Sequence, residues 1–116
     1  MAAQANEKGK TQASCQVVLA MNTITQKRLK KYFQLTSEAL TEAKASLENP
    51  SFDGARADFL DMIERYLSDA DYFAKKGDVV TAFAALNYAH GWLDAGARIG
   101  LFKVHNSRLF TVDDKD

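Results

Sequence analysis

The chain has 116 residues, of which 47% are hydrophobic, and this suits one globular domain with its own core. One proline and six glycines leave few places to interrupt long regular elements, which favours helices over a β-sandwich or a β-barrel. Fifteen basic residues balance fifteen acidic ones, so the net charge points to no class of partner. The single cysteine, Cys15, excludes an internal disulfide.

The distribution of charge along the chain is uneven. Residues 1–35 hold six basic residues and one acidic residue, whereas residues 36–116 hold nine basic and fourteen acidic residues. The chain is therefore about +5 at one end and −5 over the rest, an asymmetry that motivates a hypothesis about function. The Cys and His spacing resembles no zinc site, and we expect no metal and no cofactor.

The first 22 residues carry little that could fold alone. Residues 1–13 contain no Leu, Ile, Val or aromatic residue to offset the entropy of ordering, and we expect residues 1–22 to form a flexible extension. The apolar run at residues 15–21 could pack against the domain or contribute nothing. It is too short to span a bilayer and makes a poor signal peptide, so we expect a soluble, cytoplasmic protein.

The first predicted helix begins near Thr23, where Thr23 and Gln26 have the spacing of a capping box. It ends at Asn49–Pro50, since the residue before proline avoids the helical conformation. Its apolar residues recur at intervals of three and four, which is typical of a bundle helix. The predicted stripe consists of Leu29, Phe33, Thr36, Leu40, Ala43 and Leu47.

The second and third predicted helices are separated by a tight turn. Ser51 or Asp53 can cap the second helix, and Gly77 can end it in a left-handed conformation. Asp78 then caps the third helix almost at once, which predicts an antiparallel hairpin. The buried stripe of the second helix is predicted to contain Phe59, Leu60, Ile63, Tyr66, Leu67, Ala70, Phe73 and Ala74, with Lys75 and Lys76 in its last turn.

The third helix is apolar nearly all round, so we expect it to contact both other helices before it ends at Gly100. One face of this helix combines Trp92 with four small residues, Ala82, Ala85, Ala89 and Gly96. The small side chains there would let a neighbouring helix approach closely. The predicted fold is all-α, an up-and-down antiparallel three-helix bundle over residues 23–102. Residues 103–116 form a C-terminal tail that we expect to pack, in part, over the open end of the bundle.

Three runs of sequence carry a resemblance to a known family: GDVVTAFAALNYAHGWLDAGARIGLF at 77–102, ITQKRLKKYF at 24–33 and RLFTVD at 108–113. Over roughly residues 23–113 the chain resembles an archaeal family catalogued as domain of unknown function 357. The resemblance implies a three-helix bundle and an archaeal source, and it implies no activity. Related domains fused to nucleotidyltransferase-like domains hint at nucleotide or RNA metabolism.

Four polar residues of the third helix form the main candidate binding site: Asn87, His90, Asp94 and Arg98. Their spacing places them on one stripe, where successive pairs could satisfy each other as a ladder at the edge of the core. The alternative is a binding or acid–base cluster, because histidine titrates near neutral pH and arginine can hold an anion. No nucleophile is evident on the stripe, and one His with one Asp is an incomplete metal-ligand set.

A second candidate pair is Arg98 and His105, whose spacing is similar to the R-x4–6-H pattern of HEPN-type ribonucleases. In that family, such residues cleave RNA without a metal, usually at a dimer interface. The chain departs from the pattern at Ile99, where a polar residue is usual. The apolar IGLF run between the two residues also fits a helix end that packs into a core.

The third candidate is the basic patch formed by Lys27, Arg28, Lys30 and Lys31 at the start of the first helix. These cations oppose the helix dipole, so helix stability does not explain them. They form either a solvated basic face or a docking surface for phosphates or an acidic protein. Of the nearby rings, only Tyr32 is available to stack on a base, because Phe33 belongs to the core stripe.

The remaining aromatic residues, Tyr66, Tyr72, Tyr88 and Trp92, fit core-edge packing, although an exposed subset would indicate a partner surface. The sequence as a whole favours a non-enzymatic interaction module that binds a protein or an RNA, as a monomer or a homodimer, away from membranes. A small metal-independent ribonuclease and a nucleotide or small-anion binder are the alternatives.

Overall fold

Three α-helices make up most of the computed structural model, which describes residues 23–52 and 54–112. Helix α1 spans Gln26–Ala45, α2 spans Ala55–Lys75 and α3 spans Val79–Arg98, with a 3₁₀ turn at Pro50–Phe52. The described residues contain no strand, and none of their helices is long and apolar enough to cross a membrane. The predicted all-α bundle is confirmed, whereas the predicted flexible extension, residues 1–22, lies outside the described residues.

Ring pairs between the helices establish the up-down-up order. Tyr66 packs on Tyr88 and Phe59 packs on Trp92, so α2 and α3 run in opposite directions. In contrast, Tyr32 of α1 packs on Phe83, and Thr36, one turn further on, reaches His90. Helix α1 is therefore parallel to α3, as an up-and-down bundle requires.

Helix α1 is shorter than predicted at both ends. Its N-cap is Thr25, whose hydroxyl accepts a hydrogen bond from the backbone N–H of Arg28 at 3.1 Å, so the cap predicted at Thr23 is wrong. At the other end, α1 stops at Ala45, well before Pro50, because the Arg56 guanidinium of α2 donates to the carbonyls of Ala43, Lys44 and Ser46. Leu47, predicted to lie in the stripe, is consequently outside the helix and 75% exposed.

The start of α2 also differs from the prediction. Its N-cap is Gly54, which adopts a left-handed conformation with φ of 81° and has no side chain to cap the helix. Ser51 lies within the 3₁₀ turn, where its N–H bonds the Asn49 side chain at 3.1 Å, and Asp53 lies outside the described residues. The stripe predicted for α2 is confirmed, since Ile63, Leu67 and Ala70 are buried.

The turn between α2 and α3 forms as predicted. Gly77 has a φ of 83°, and the N–H groups of Gly77 and Asp78 bond the carbonyls of Ala74 and Phe73. This is the Schellman arrangement that commonly ends a helix. The Asp78 carboxylate accepts from the N–H of Thr81 at 3.1 Å and so caps α3.

Helix α3 is the centre of the core, as its composition predicts. It contacts both α1 and α2, and its fully covered residues include Leu86 and Leu93. The small residues expected to allow close approach are buried at Ala82, Ala89 and Gly96. Burial of this kind supplies roughly 25 cal/mol for each Å² of apolar surface removed from water.

The chain after α3 folds back on the bundle. Gly100, with a φ of 81°, ends the helix, and residues 101–112, here called the C-terminal segment, follow. Only the beginning of this segment covers the end of the bundle, where Phe102 is fully buried against Gly96. The rest lies along the side of the bundle and contacts both α1 and α3. This position was not predicted.

The contact between Gly96 and Phe102 gives a direct test of the packing. A Cβ atom on Gly96 would lie 2.4 Å from Cε2 of the fully buried Phe102 ring, so Gly96→Ala should lower the free energy of unfolding by about 1–3 kcal/mol. Gly91→Ala, in the same helix, is the control. Its Cβ would meet no atom within 4 Å, so it should raise stability by about 0.5–1 kcal/mol. Urea denaturation with equal losses for both variants would contradict this packing.

The Asp78 cap predicts a component of acid destabilisation. Hydrogen bonding to Thr81, first its side chain and then its backbone N–H, lowers the pKa of Asp78 from the ordinary value of 3.8. Since the folded-state pKa is depressed, the stabilisation is complete above the unfolded-state pKa and is lost as the pH falls through the folded-state pKa. The difference in melting temperature between the natural chain and Asp78→Asn should therefore shrink in acid. A difference independent of pH would contradict the cap.

Candidate functional site

A groove of ≈ 670 Å³ lies between α1, α3 and the C-terminal segment. It contains all four polar stripe residues predicted from the sequence, together with Thr36 and Gly91 on its helical walls. The other lining residues are Tyr32, Leu35, Ser107, Arg108, Leu109, Phe110, Thr111 and Val112. The groove therefore brings the four candidate residues beside side chains of α1 and of the C-terminal segment.

Both ring nitrogens of His90 are engaged within the fold. Nδ1 lies 3.0 Å from the hydroxyl oxygen of Thr36, and Nε2 lies 2.7 Å from the carbonyl oxygen of Leu109. A carbonyl oxygen can only accept, so Nε2 carries a proton and donates it, and in the neutral ring Nδ1 accepts from Thr36. His90 thus links α1 to the C-terminal segment through α3.

Asp94 and Arg98 hold the same segment one and two turns further along α3. The carboxylate of Asp94 accepts from both the N–H and the hydroxyl of Thr111, at 2.8 and 3.1 Å. Arg98 donates to the Thr111 carbonyl at 3.3 Å. His90, Asp94 and Arg98 therefore bond the C-terminal segment, and the expected ladder within the stripe is limited to a 4.0 Å approach of His90 Nε2 to Asp94 Oδ1.

Asn87 stands apart from the other stripe residues. It is exposed, and its side chain forms no hydrogen bond with the described residues. Arg98 is also exposed, so the two ends of the stripe meet water while its middle is engaged. Within residues 23–52 and 54–112, no group of three or more His, Cys, Asp or Glu is placed to hold a metal ion.

Helix α1 adds two clamps on the C-terminal segment that were not predicted. Arg108 pairs with Glu38 at 2.7 Å, and the Asn106 amide donates to Glu42 at 3.2 Å. Glu38 and Glu42 are one turn apart, so the sequence does show two carboxylates on one face of α1. It does not show that Arg108 and Asn106, more than sixty residues away, meet them.

No hydrogen bond or ion pair joins Arg98 to His105 within the described chain. Arg98 lines the groove, whereas His105 is exposed. Between them, Leu101 and Phe102 are fully buried, so the IGLF run packs into the core. An arrangement of the two residues across a dimer stays a prediction.

The basic patch at the start of α1 is fully at the surface. Lys27, Arg28, Lys30 and Lys31 are exposed, and none forms an ion pair with a described residue. The Arg28 and Lys31 cations lie 5.7 and 5.8 Å from the centre of the Tyr32 ring. Together with Thr25, Lys27, Arg28 and Lys31 surround a shallow recess of ≈ 480 Å³ beside Tyr32.

The other aromatic residues mostly pack at the edge of the core. Phe59 meets Trp92 edge-on with ring centres 4.8 Å apart, and Tyr66 meets Tyr88 at 4.5 Å. Tyr72 and Tyr88 are the exceptions, since they are 54% and 50% exposed. Core-edge packing therefore accounts for Tyr66 and Trp92, while Tyr88 also contributes to the surface of α3.

The clamp on Thr111 is testable through hydrogen exchange. Asp94→Ala removes a charged acceptor from two donors, so the free energy of unfolding should fall by about 1–3 kcal/mol. The Thr111 amide should exchange much faster with solvent, as followed by NMR. Thr111→Val, which removes only the hydroxyl, is the control and should leave that amide protected. Unchanged exchange in Asp94→Ala would show that the clamp does not hold the segment.

Comparison with known proteins adds the family. No curated protein and no solved structure matches the chain. One family model matches residues 31–102, which comprise α2, α3 and all but the first turns of α1. The description of this family assigns no activity. The match does not test the archaeal source that the resemblance implies. Because the match covers 72 of the 116 residues, the chain belongs to this family, described as "Protein of unknown function (DUF357)".

Proposed function

We propose that the protein is a non-enzymatic module that binds the phosphate backbone of single-stranded RNA through the start of α1. The observation that carries the proposal is the basic patch, four exposed cations in the first two turns of α1 without an ion pair among the described residues. RNA offers one negative charge for each nucleotide, and such contacts supply affinity without reading sequence.

The basic patch works against the helix in which it lies. The first turn of a helix is its positive end and favours anions, yet the first turn of α1 contains no acidic residue. Two other lysines of the bundle are paired, Lys44 with Glu64 and Lys75 with Asp71, whereas Lys76 lies over the Tyr72 ring. Among the described residues, the charges of the basic patch therefore meet only the Tyr32 ring, which Arg28 and Lys31 approach, and no carboxylate; an anionic partner would complete their contacts.

Tyr32 favours RNA over an acidic protein as that partner. Its ring is partly exposed between Arg28 and Lys31, and an edge contact with Phe83, with ring centres 5.5 Å apart, holds it in place. Single-stranded RNA has unstacked bases that can lie against such a ring while the neighbouring cations contact phosphates. An acidic protein surface would use the cations alone.

The groove supports the alternative functions less well. A nucleotide in the groove would find His90 and Asp94 already bonded to the C-terminal segment, and would share Arg98 with the Thr111 carbonyl. A ribonuclease would need His105 to act with Arg98, to which no hydrogen bond or ion pair joins it within the described chain. Neither alternative is favoured by a specific contact of the described residues.

Arg28→Glu separates RNA binding from folding. It creates the capping box Thr25-x-x-Glu and places an anion in the first turn, so the free energy of unfolding should rise by about 0.5–1 kcal/mol. The same change should weaken binding of a fluorescent single-stranded RNA about tenfold. For the natural chain, the logarithm of affinity against the logarithm of salt concentration should have a slope of about −3, from four contacts.

Lys103→Glu, at an exposed position on the C-terminal segment, is the matched control and should change RNA affinity less than twofold. Fluorescence anisotropy between 50 and ~200 mM salt, the range over which such contacts weaken markedly, measures these affinities. Equal loss in both variants would point to net charge alone. Absence of RNA binding at the lowest salt would overturn the proposal, and an acidic protein would then be the partner to seek.

A further inference from the structure

One side of α3 is exposed along the whole length of the helix and carries a single charged residue, Arg98, near its C-terminal end. This surface, here called the open face, consists of Val80, Ala84, Asn87, Tyr88, Gly91, Ala95, Arg98 and Ile99. It includes three large hydrophobic residues in water, at 69% exposure for Val80, 50% for Tyr88 and 52% for Ile99. The spacing along the chain places all eight residues within one third of the helix circumference.

The exposed sides of the other helices are different. Exposed residues of α1 and α2 include Lys27, Lys44, Asp58, Glu64 and Arg65, as water-facing helix surfaces normally do. The open face is closer in composition to a packed surface, and a continuous apolar patch of this kind marks an interaction site. α1, α2 and the C-terminal segment cover the other sides of α3, so the uncovered side is the exception.

Gly91, near the middle of the open face, has no use within the single chain. Glycine in a helix interior lowers helix stability relative to alanine. A Cβ atom at this position would meet no atom within 4 Å, so packing inside the chain does not require its absence. The missing side chain instead lets another helix come close to the backbone of α3.

We propose that the open face binds a second copy of this chain, with the two α3 helices antiparallel about a two-fold axis that crosses the face between Tyr88 and Gly91. This pairing sets Asn87 of each copy against Gly91 of the other, a large residue against an empty position. It likewise sets Ala84 against Ala95, and Val80 against the end of the other helix at Arg98 and Ile99, where the aliphatic stem of Arg98 can cover Val80. A two-fold interface repeats each of these contacts, so one complementary surface serves both subunits.

The charges at the two ends of the open face select the antiparallel orientation. Exposed Asp78 precedes the face at its N-terminal end, and exposed Arg98 lies on the face near its C-terminal end. In the antiparallel pair, each Arg98 approaches the Asp78 of the other copy. In a parallel pair, like charges would meet at both ends, which disfavours that arrangement. Arg98 bonds Thr111 through a single nitrogen, so further donors remain for this contact.

The size of the surface sets the expected affinity. A helix of 20 residues is about 30 Å long, so contact confined to the open face falls at the small end of specific interfaces. The dimer should therefore be reversible, with a dissociation constant in the micromolar range. It is independent of the proposed RNA binding, and Arg28→Glu should leave it unchanged.

Sedimentation equilibrium over a range of protein concentrations tests the dimer. Gly91→Glu places a charged side chain where the helices meet, and should weaken dimerisation at least a hundredfold. It should leave the monomer folded, because glutamate forms helices better than glycine and the position is open. Ser68→Glu, on the exposed side of α2, is the matched control and should dimerise like the natural chain. A natural chain that stays monomeric at millimolar concentration, or a dimer indifferent to Gly91→Glu, would overturn the proposal.

Cysteine cross-linking tests the orientation, in a Cys15→Ser background that removes the native thiol. Ala84→Cys with Ala95→Cys in one chain should give disulfide-linked dimers, because each cysteine faces its counterpart in the other copy. The two positions are three turns apart in one helix and cannot bond within a chain. Neither single variant should cross-link. Efficient cross-linking of Ala84→Cys alone would indicate a parallel pair and contradict the antiparallel arrangement.

Discussion

The rest of the structure depends on the scarcity of charge in α3. Its twenty residues include only two charged side chains, Asp94 and Arg98, and both lie in its second half. A helix of this composition must be covered on several sides to be stable in water. α1 and α2 cover two sides, and the C-terminal segment, with Leu109 and Phe110 buried, covers a third.

The few polar residues of α3 serve this cover. Asp94 binds both donors of Thr111, and His90 joins Thr36 of α1 to the Leu109 carbonyl, so the segment is fixed to two helices at once. A buried or half-buried polar group is costly without a partner, and here both ring nitrogens of His90 and both carboxylate oxygens of Asp94 have one. The cluster therefore stabilises the fold, while the exposed residues at its ends, Asn87 and Arg98, remain available to a partner.

The sequence predicted the helices far better than the contacts between distant parts of the chain. Gly77 and Asp78 act locally, so the turn between α2 and α3 was predicted correctly. The end of α1 was not, because Arg56, from the next helix, satisfies its last carbonyls and lets it stop before Pro50. The partners of His90 and Asp94 were missed for the same reason, since the segment that meets them has no helical or strand period to place it.

The central claim is that the polar stripe of α3 anchors the C-terminal segment, and the His90 ring reports on it most directly. Nitrogen-15 NMR of the imidazole, at a pH where the ring is neutral, identifies which nitrogen carries the proton. The structure predicts the Nε2–H tautomer, with an Nε2 proton that exchanges slowly because it is bonded to the Leu109 carbonyl. An Nδ1–H tautomer, or an Nε2 proton that exchanges as fast as that of a free imidazole, would show that the segment is not anchored there.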